Sequence, residues 1–119
     1  EIKNKKLFFS SSIPKLVFDK NGYLLYMSRG LIPSNKKFEF KKAWRQICAY
    51  SFPKKSLMDF AKIKNKTPME SFEDIEILRF LEAGHKIKMV KLSGESMAVD
   101  VPSDIKKVKT ILKRNEKSS

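Results

Sequence analysis

Five polar residues stand where their types and neighbours could do chemistry: Arg29, Gln46, Tyr50, Glu76 and Asp100. Asp100 follows the apolar pair Ala98-Val99 and precedes Val101-Pro102. Proline is suited to the first helical position, where its missing N–H costs nothing, and Asp104 would favour the positive end of the same helix. A carboxylate held rigidly at such a boundary could ligate a metal, or it could cap and brace the helix entry. Both roles stay open from these residues alone. Arg29 lies where an apolar run becomes a loop, Gln46 and Tyr50 bracket Ile47-Cys48-Ala49, and Glu76 lies within a helical pattern. An α/β layer that binds ligands outside its strand ends would gather such residues. Each also has an ordinary reading: Arg29 as a surface ion pair, Tyr50 as a core aromatic with a wet hydroxyl, Glu76 as a solvated helix charge.

Other catalytic sets are missing. A single histidine, His85, follows Gly84 in a helix-to-strand turn and reads as a surface residue, which leaves no Ser/His/Asp or Cys/His arrangement. One cysteine, Cys48, excludes an internal disulfide and a cysteine-rich zinc site, and its apolar neighbours read as core. The four glycines are isolated, so no glycine-rich loop cradles phosphate within this sequence.

The residues must be positioned by one modest domain, because 119 residues support a single core. With 41% apolar residues and nine phenylalanines there is enough to bury. The apolar runs are too short to cross a bilayer and the first residues lack a signal-peptide pattern, so the expectation is a soluble, cytoplasmic protein without membrane insertion. A net charge of +13 raises the question of nucleic acid. Only four of the 26 basic residues are arginine, the side chain favoured for phosphate forks and base edges, and the lysines run the whole length. The expectation is therefore no nucleic-acid partner, with the charge steering anionic nucleotides or sugar acids instead.

Residues 1–12 read as a linker or an edge, 13–113 as the folded part and 114–119 as a tail. Within the folded part, 15–19 and 23–27 read as strands joined at Asn21-Gly22, a pair suited to positive φ. Residues 45–50 read as a buried third strand, Pro53 opens a short helix, and 87–92 read as another strand. The clearest helix spans 68–83, with Thr67 and Glu70 as a capping box and Gly84 past its end. Its expected buried stripe is Met69, Phe72, Ile75, Leu78 and Leu81, flanked by Glu73 and Glu76. A last helix is expected over 102–112.

Four ordered segments, 14–33, 47–50, 68–79 and 99–104, resemble the C-terminal half of the 3-deoxy-manno-octulosonate (Kdo) cytidylyltransferases, the CMP-Kdo synthetases. The resemblance implies an α/β fold: the C-terminal half of a Rossmann-like nucleotide-diphospho-sugar-transferase mixed sheet, with a β-hairpin and about three helices. It implies transfer of CMP from CTP to a Kdo-like sugar acid with release of pyrophosphate, magnesium as cofactor, and a homodimer. By the same resemblance Asp100 falls on a magnesium-binding aspartate, and Arg29, Lys36, Gln46, Tyr50 and Glu76 fall on the substrate side. Gln46 stands where the family usually has histidine, Ile77 where it often has glutamine, and Lys36 near a usual arginine. Such exchanges would change which hydroxyls and carboxylate are held.

The family's N-terminal glycine-rich nucleotide loop and first magnesium aspartate have no counterpart here. These 119 residues are therefore expected to be inactive alone, as part of a larger enzyme or as a truncated homologue. The alternative is a noncatalytic binding or dimerisation module.

Overall fold

The computed structural model describes residues 1–92 together with 102, 105, 106, 108–110 and 112. The described residues among 102–112 are helical, and Asp100 lies outside the described residues.

The hairpin forms as its sequence dictates. Strand β1 (Lys15–Phe18) pairs antiparallel with β2 (Leu24–Ser28), from Lys15 opposite Ser28 to Phe18 opposite Leu24, with one irregularity between Val17 and Phe18. Asp19 makes the turn: its Oδ1 accepts from the amides of Asn21 (2.9 Å) and Tyr23 (2.8 Å), while Gly22 takes φ 79°. A third antiparallel strand, β3 (Trp44–Arg45), adds to the other side of β1, giving the order β2-β1-β3. Of the expected strand over 45–50 only Arg45 is strand, and Gln46, Ile47, Ala49 and Tyr50 instead line a cavity. The strand expected over 87–92 is reduced to one bridge, Lys88 opposite Tyr23.

Residues 1–12 do more than an edge or linker would. Asn4 caps α1 (Lys5–Phe9) by accepting from Leu7 N, and Phe8 buries itself with Ile2 and Ala43, against Leu31 and Phe40. Helix α2 (Lys54–Lys62) follows Pro53 as expected.

The helix expected over 68–83 is two helices, α3 (Pro68–Glu73) and α4 (Ile77–Glu82). Asp74 breaks it in the left-handed region at φ 53°, ψ 51°, which a short polar side chain tolerates better than most. The break is repaid in buried polar contacts. Along one straight helix Glu70 and Arg79 would stand ~13 Å apart; here Arg79 Nε and Nη2 reach the two Glu70 carboxylate oxygens at 2.6 and 2.5 Å. Glu70 Oε2 also accepts from Thr67 N, the expected capping contact, and Glu82 at the far end of α4 accepts from the amides of Met69 and Glu70. The break also divides the expected stripe: Ile75 and Leu78 are buried and Leu81 packs on the core as expected, but Phe72 is 83% exposed and Met69 is exposed too, while Ile77 and Phe80 join the core with Leu16, Leu24 and Met27.

Helix α4 ends as its Gly84 requires. Gly84 sits at φ 81°, its amide donating to Leu81 O and that of His85 to Phe80 O, a Schellman closure. No atom lies where a Cβ would project, so Gly84→Ala meets backbone strain alone. A loss of ~1–2 kcal/mol is expected, read as a lowered denaturant midpoint at unchanged slope.

Candidate functional site

Beyond β3 the chain passes along one wall of a cavity of about 700 Å³, whose lining includes Gln46, Tyr50, Phe52, Phe80, Phe18 and Trp44. Two of the sequence-predicted residues meet there. The Gln46 amide nitrogen donates to the Tyr50 hydroxyl and also lies 3.4 Å from Cys48 Sγ. Cys48 is exposed, which corrects the expectation of a core thiol.

Tyr50 ends a line of aromatic rings. It lies 5.7 Å from Phe52, Phe52 stacks on Phe80 at 4.7 Å, Phe80 stacks on Phe60 at 4.6 Å, and Arg79 covers Phe60 at 4.2 Å. The Glu70–Arg79 pair therefore anchors one end of a stack whose other end presents a phenol to the cavity. Half-burial, with the nearby Cys48 and Glu76 charges, pushes the Tyr50 pKa up to about 12. The phenol is neutral at any physiological pH and acts as a hydrogen-bonding group, not a base. Ultraviolet titration of the native chain is expected to show a tyrosine ionising near that value, and Tyr50→Phe should remove that step.

Glu76 is exposed at the start of α4, close enough for its charge to act on the Tyr50 phenol. Ile77 is buried and lines the cavity. Lys36 is exposed in a turn organised by Asn35, whose Oδ1 accepts from the amides of Lys37 and Glu39, and it does not line the cavity. Arg29 does not line it either. Its Nε donates to Glu73 O at 2.7 Å, one terminal nitrogen to Asp74 O at 3.1 Å and the other to Ser11 O at 3.3 Å. The guanidinium thus holds the α3–α4 junction from which Glu76 projects. His85, expected at the surface, is half-buried, edge-on to Phe80 and lining the cavity.

A buried polar knot beside this junction was not foreseen. The Glu73 carboxylate accepts from Ser28 Oγ (2.6 Å), Tyr26 OH (3.2 Å) and Arg29 N (2.9 Å). Burial alone would raise its pKa; these donors outweigh burial and hold it below the usual value. Fully buried Lys15 completes the knot, its ammonium donating to Ser10 O (2.9 Å) and Arg29 O (2.6 Å). Burial draws the Lys15 pKa down while Glu73 opposes the fall. The available signal was the flanking position of Glu73 on the helical pattern, which nothing joined to Lys15 in sequence.

Chemically, the cavity mouth offers an amide, a neutral phenol and a nearby carboxylate, a set that binds hydroxyl-bearing ligands by hydrogen bonds. Among the described residues no group of three or more His, Cys, Asp or Glu side chains could hold a metal ion, and no helix is long and apolar enough to cross a membrane.

No protein-family model matches the chain. It is 39% identical over 102 residues to a 3-deoxy-manno-octulosonate cytidylyltransferase of Protochlamydia amoebophila, covering 83% of this chain and 39% of that protein. It is 35% identical over 107 residues to a mitochondrial 3-deoxy-manno-octulosonate cytidylyltransferase of Arabidopsis thaliana, covering 87% and 37%. An 8-amino-3,8-dideoxy-manno-octulosonate cytidylyltransferase of Shewanella baltica is 36% identical over 107 residues, covering 90% and 43%. The chain thus spans less than half the length of these relatives. A solved CMP:2-keto-3-deoxy-manno-octonic acid synthetase in complex with CTP superposes with a TM-score of 0.84, over 96% of this chain and 46% of that one; at 23% identity it establishes the α/β fold. Over its aligned length, the chain belongs to the 3-deoxy-manno-octulosonate cytidylyltransferase family.

Proposed function

We propose that this chain supplies the sugar-acid side of a cytidylyltransferase that transfers CMP from CTP to a Kdo-like sugar acid, and that it corresponds to the C-terminal half of such an enzyme. The observation that carries the reading is the Gln46–Tyr50 hydrogen-bonded pair at the cavity mouth, within the field of Glu76. A neutral amide and phenol suit sugar hydroxyls, and neither titrates where the enzyme would work. In the reaction a sugar hydroxyl oxygen bonds the α-phosphorus of CTP as the bond to pyrophosphate breaks, and the hydroxyl proton is released to solvent; the sugar side contributes orientation. Arg29 acts in this reading by fixing the junction that carries Glu76, and Lys36 as a more distant positive charge.

Magnesium belongs to the same proposal, with Asp100 as one carboxylate ligand, since a hard divalent cation takes oxygen donors. When bound it would neutralise nucleotide phosphate charge. A homodimer and a cytoplasmic setting follow the family resemblance. The second reading is a noncatalytic binding or dimerisation module.

Calorimetric titration with Kdo tests the site. Binding is expected, with Tyr50→Phe and Gln46→Ala each lowering affinity about tenfold, the loss of one hydrogen bond to a polar ligand. Unchanged affinity in both variants would remove the cavity mouth from sugar recognition.

A further inference from the structure

Tyr50 is 44% exposed and lies on a stretch with little of its own to hold it. Residues 50–52 belong to no strand or helix and, among the described residues, make no backbone–backbone hydrogen bond. The phenol nonetheless accepts from the Gln46 amide at the cavity mouth. A group that must be ordered as the ligand arrives gives up part of its binding free energy, so a phenol on irregular backbone needs a fixed neighbour.

Phe52 is that neighbour. Residues two apart on an extended chain share a face, and Pro53 keeps the residue before it out of the helical region. The Phe52 ring stands 5.7 Å from that of Tyr50 and lies nearly parallel, at 17°, to Phe80 at 4.7 Å. Phe80 is a rigid base: it is 6% exposed in the core and stacks also with Phe60, which Arg79 covers. It stands one turn along α4 from Glu76, so the ring that seats Phe52 belongs to the helix whose start carries that carboxylate.

We infer that Phe52 is a positioning residue for the sugar site: its ring, clamped on Phe80, fixes the Tyr50 phenol against Gln46 and in register with the Glu76 end of α4. The inference rests on the proposed function for the identity of the ligand and deepens it by naming what preorganises the site. Phe52 has no hydrogen bond to offer a sugar; its contribution passes through Tyr50.

Two readouts on the full 119-residue chain test this. The first needs no ligand: the side-chain amide resonance of Gln46 in nitrogen-15 spectra reports the hydrogen bond to the phenol. Phe52→Leu keeps an apolar side chain without the ring face and is expected to move that resonance towards its position in Tyr50→Phe. Phe52→Tyr restores a ring and should restore the native position. The second readout is calorimetric affinity for Kdo. Phe52→Leu is expected to weaken binding about fivefold, and Tyr50→Phe combined with Phe52→Leu to weaken it no further than Tyr50→Phe alone, because a residue acting through another does not add to its loss. As a control, Phe40→Leu removes an aromatic contact 5.1 Å from Phe8 in the separate cluster and should change neither readout. Denaturant unfolding checks that each variant folds, and Phe52→Met takes the place of Phe52→Leu if the latter does not.

A Gln46 resonance unmoved by the loss of the ring, affinity losses that add in the double variant, or an equal response to Phe40→Leu would each overturn the inference. A native chain without affinity for Kdo would count against the proposed function alone, and the Gln46 resonance would still decide whether Phe52 holds the phenol.

Discussion

Arg79→Ala is expected to remove most of the chain's stability. The substitution leaves Glu70, whose side chain is 1% exposed, as a buried carboxylate without its bidentate partner, and it uncovers the Phe60 ring. Breaking one side of such a pair costs about 3–5 kcal/mol, comparable with the whole stability of many domains this size. Thermal unfolding should fall by more than ~10 °C or lose its cooperative transition. The double substitution Arg79→Met with Glu70→Leu removes both charges and should recover much of the loss, which separates the stranded charge from general damage.

The same pair sets an acid limit. Hydrogen bonds from Arg79 hold the Glu70 carboxyl below its usual pKa against the opposing effect of burial. A carboxylate depressed in the folded state stabilises above its unfolded pKa, about 4.3, and loses that contribution as pH falls through the folded value. In Arg79→Ala the depression disappears and burial is left to raise the Glu70 pKa, so protonation relieves the stranded charge and the stability gap between the native chain and the variant should narrow as pH falls. A gap that stays constant between neutral pH and pH 3 would show that Glu70 is not the group involved.

Glu73→Ala carries the second large effect. It strands the donors Ser28 Oγ, Tyr26 OH and Arg29 N, and removes the carboxylate that opposes the fall of the Lys15 pKa. A loss of about 3 kcal/mol is expected. Without Glu73 the Lys15 pKa should fall further, so between that lower value and the unfolded one, about 10.4, the unfolded chain binds more protons and stability should rise with pH. Denaturant unfolding from pH 7 to 10 reads this slope, which should be steeper in the variant than in the native chain. Glu73→Gln keeps an acceptor without the charge and should recover part of the stability but none of the change in slope.

The features legible in the sequence were those made by near neighbours. Asp19-Lys20-Asn21-Gly22 carries its own turn chemistry, Thr67-Pro68 with Glu70 carries its own cap, and Gly84 its own stop. The break at Asp74 was not legible, because it is stabilised by contacts across nine to 45 residues, from Arg79 to Glu70 and from Arg29 to Asp74. Periodicity through Met69 and Phe72 favoured one long helix, and tertiary contacts overrode it. Gln46 and Tyr50 could be named from residue type and family resemblance, but the cavity they open onto is built by Phe18, Trp44 and Phe80, whose apolar side chains gave no sign of lining one. The roles of Glu73 and Lys15 were illegible for the same reason: each is an ordinary charge until the fold buries Lys15 and half-buries Glu73 among its donors.

The central claim, that this chain is the sugar-acid side of a cytidylyltransferase, is tested most directly by comparing its two candidate ligands. Nuclear magnetic resonance titration of the isolated chain with Kdo and, separately, with CTP reads both at once. Kdo is expected to bind and to shift the signals of Gln46, Tyr50 and Glu76, while CTP at the same concentration leaves the spectrum unmoved. Binding of CTP without any response to Kdo would contradict the claim.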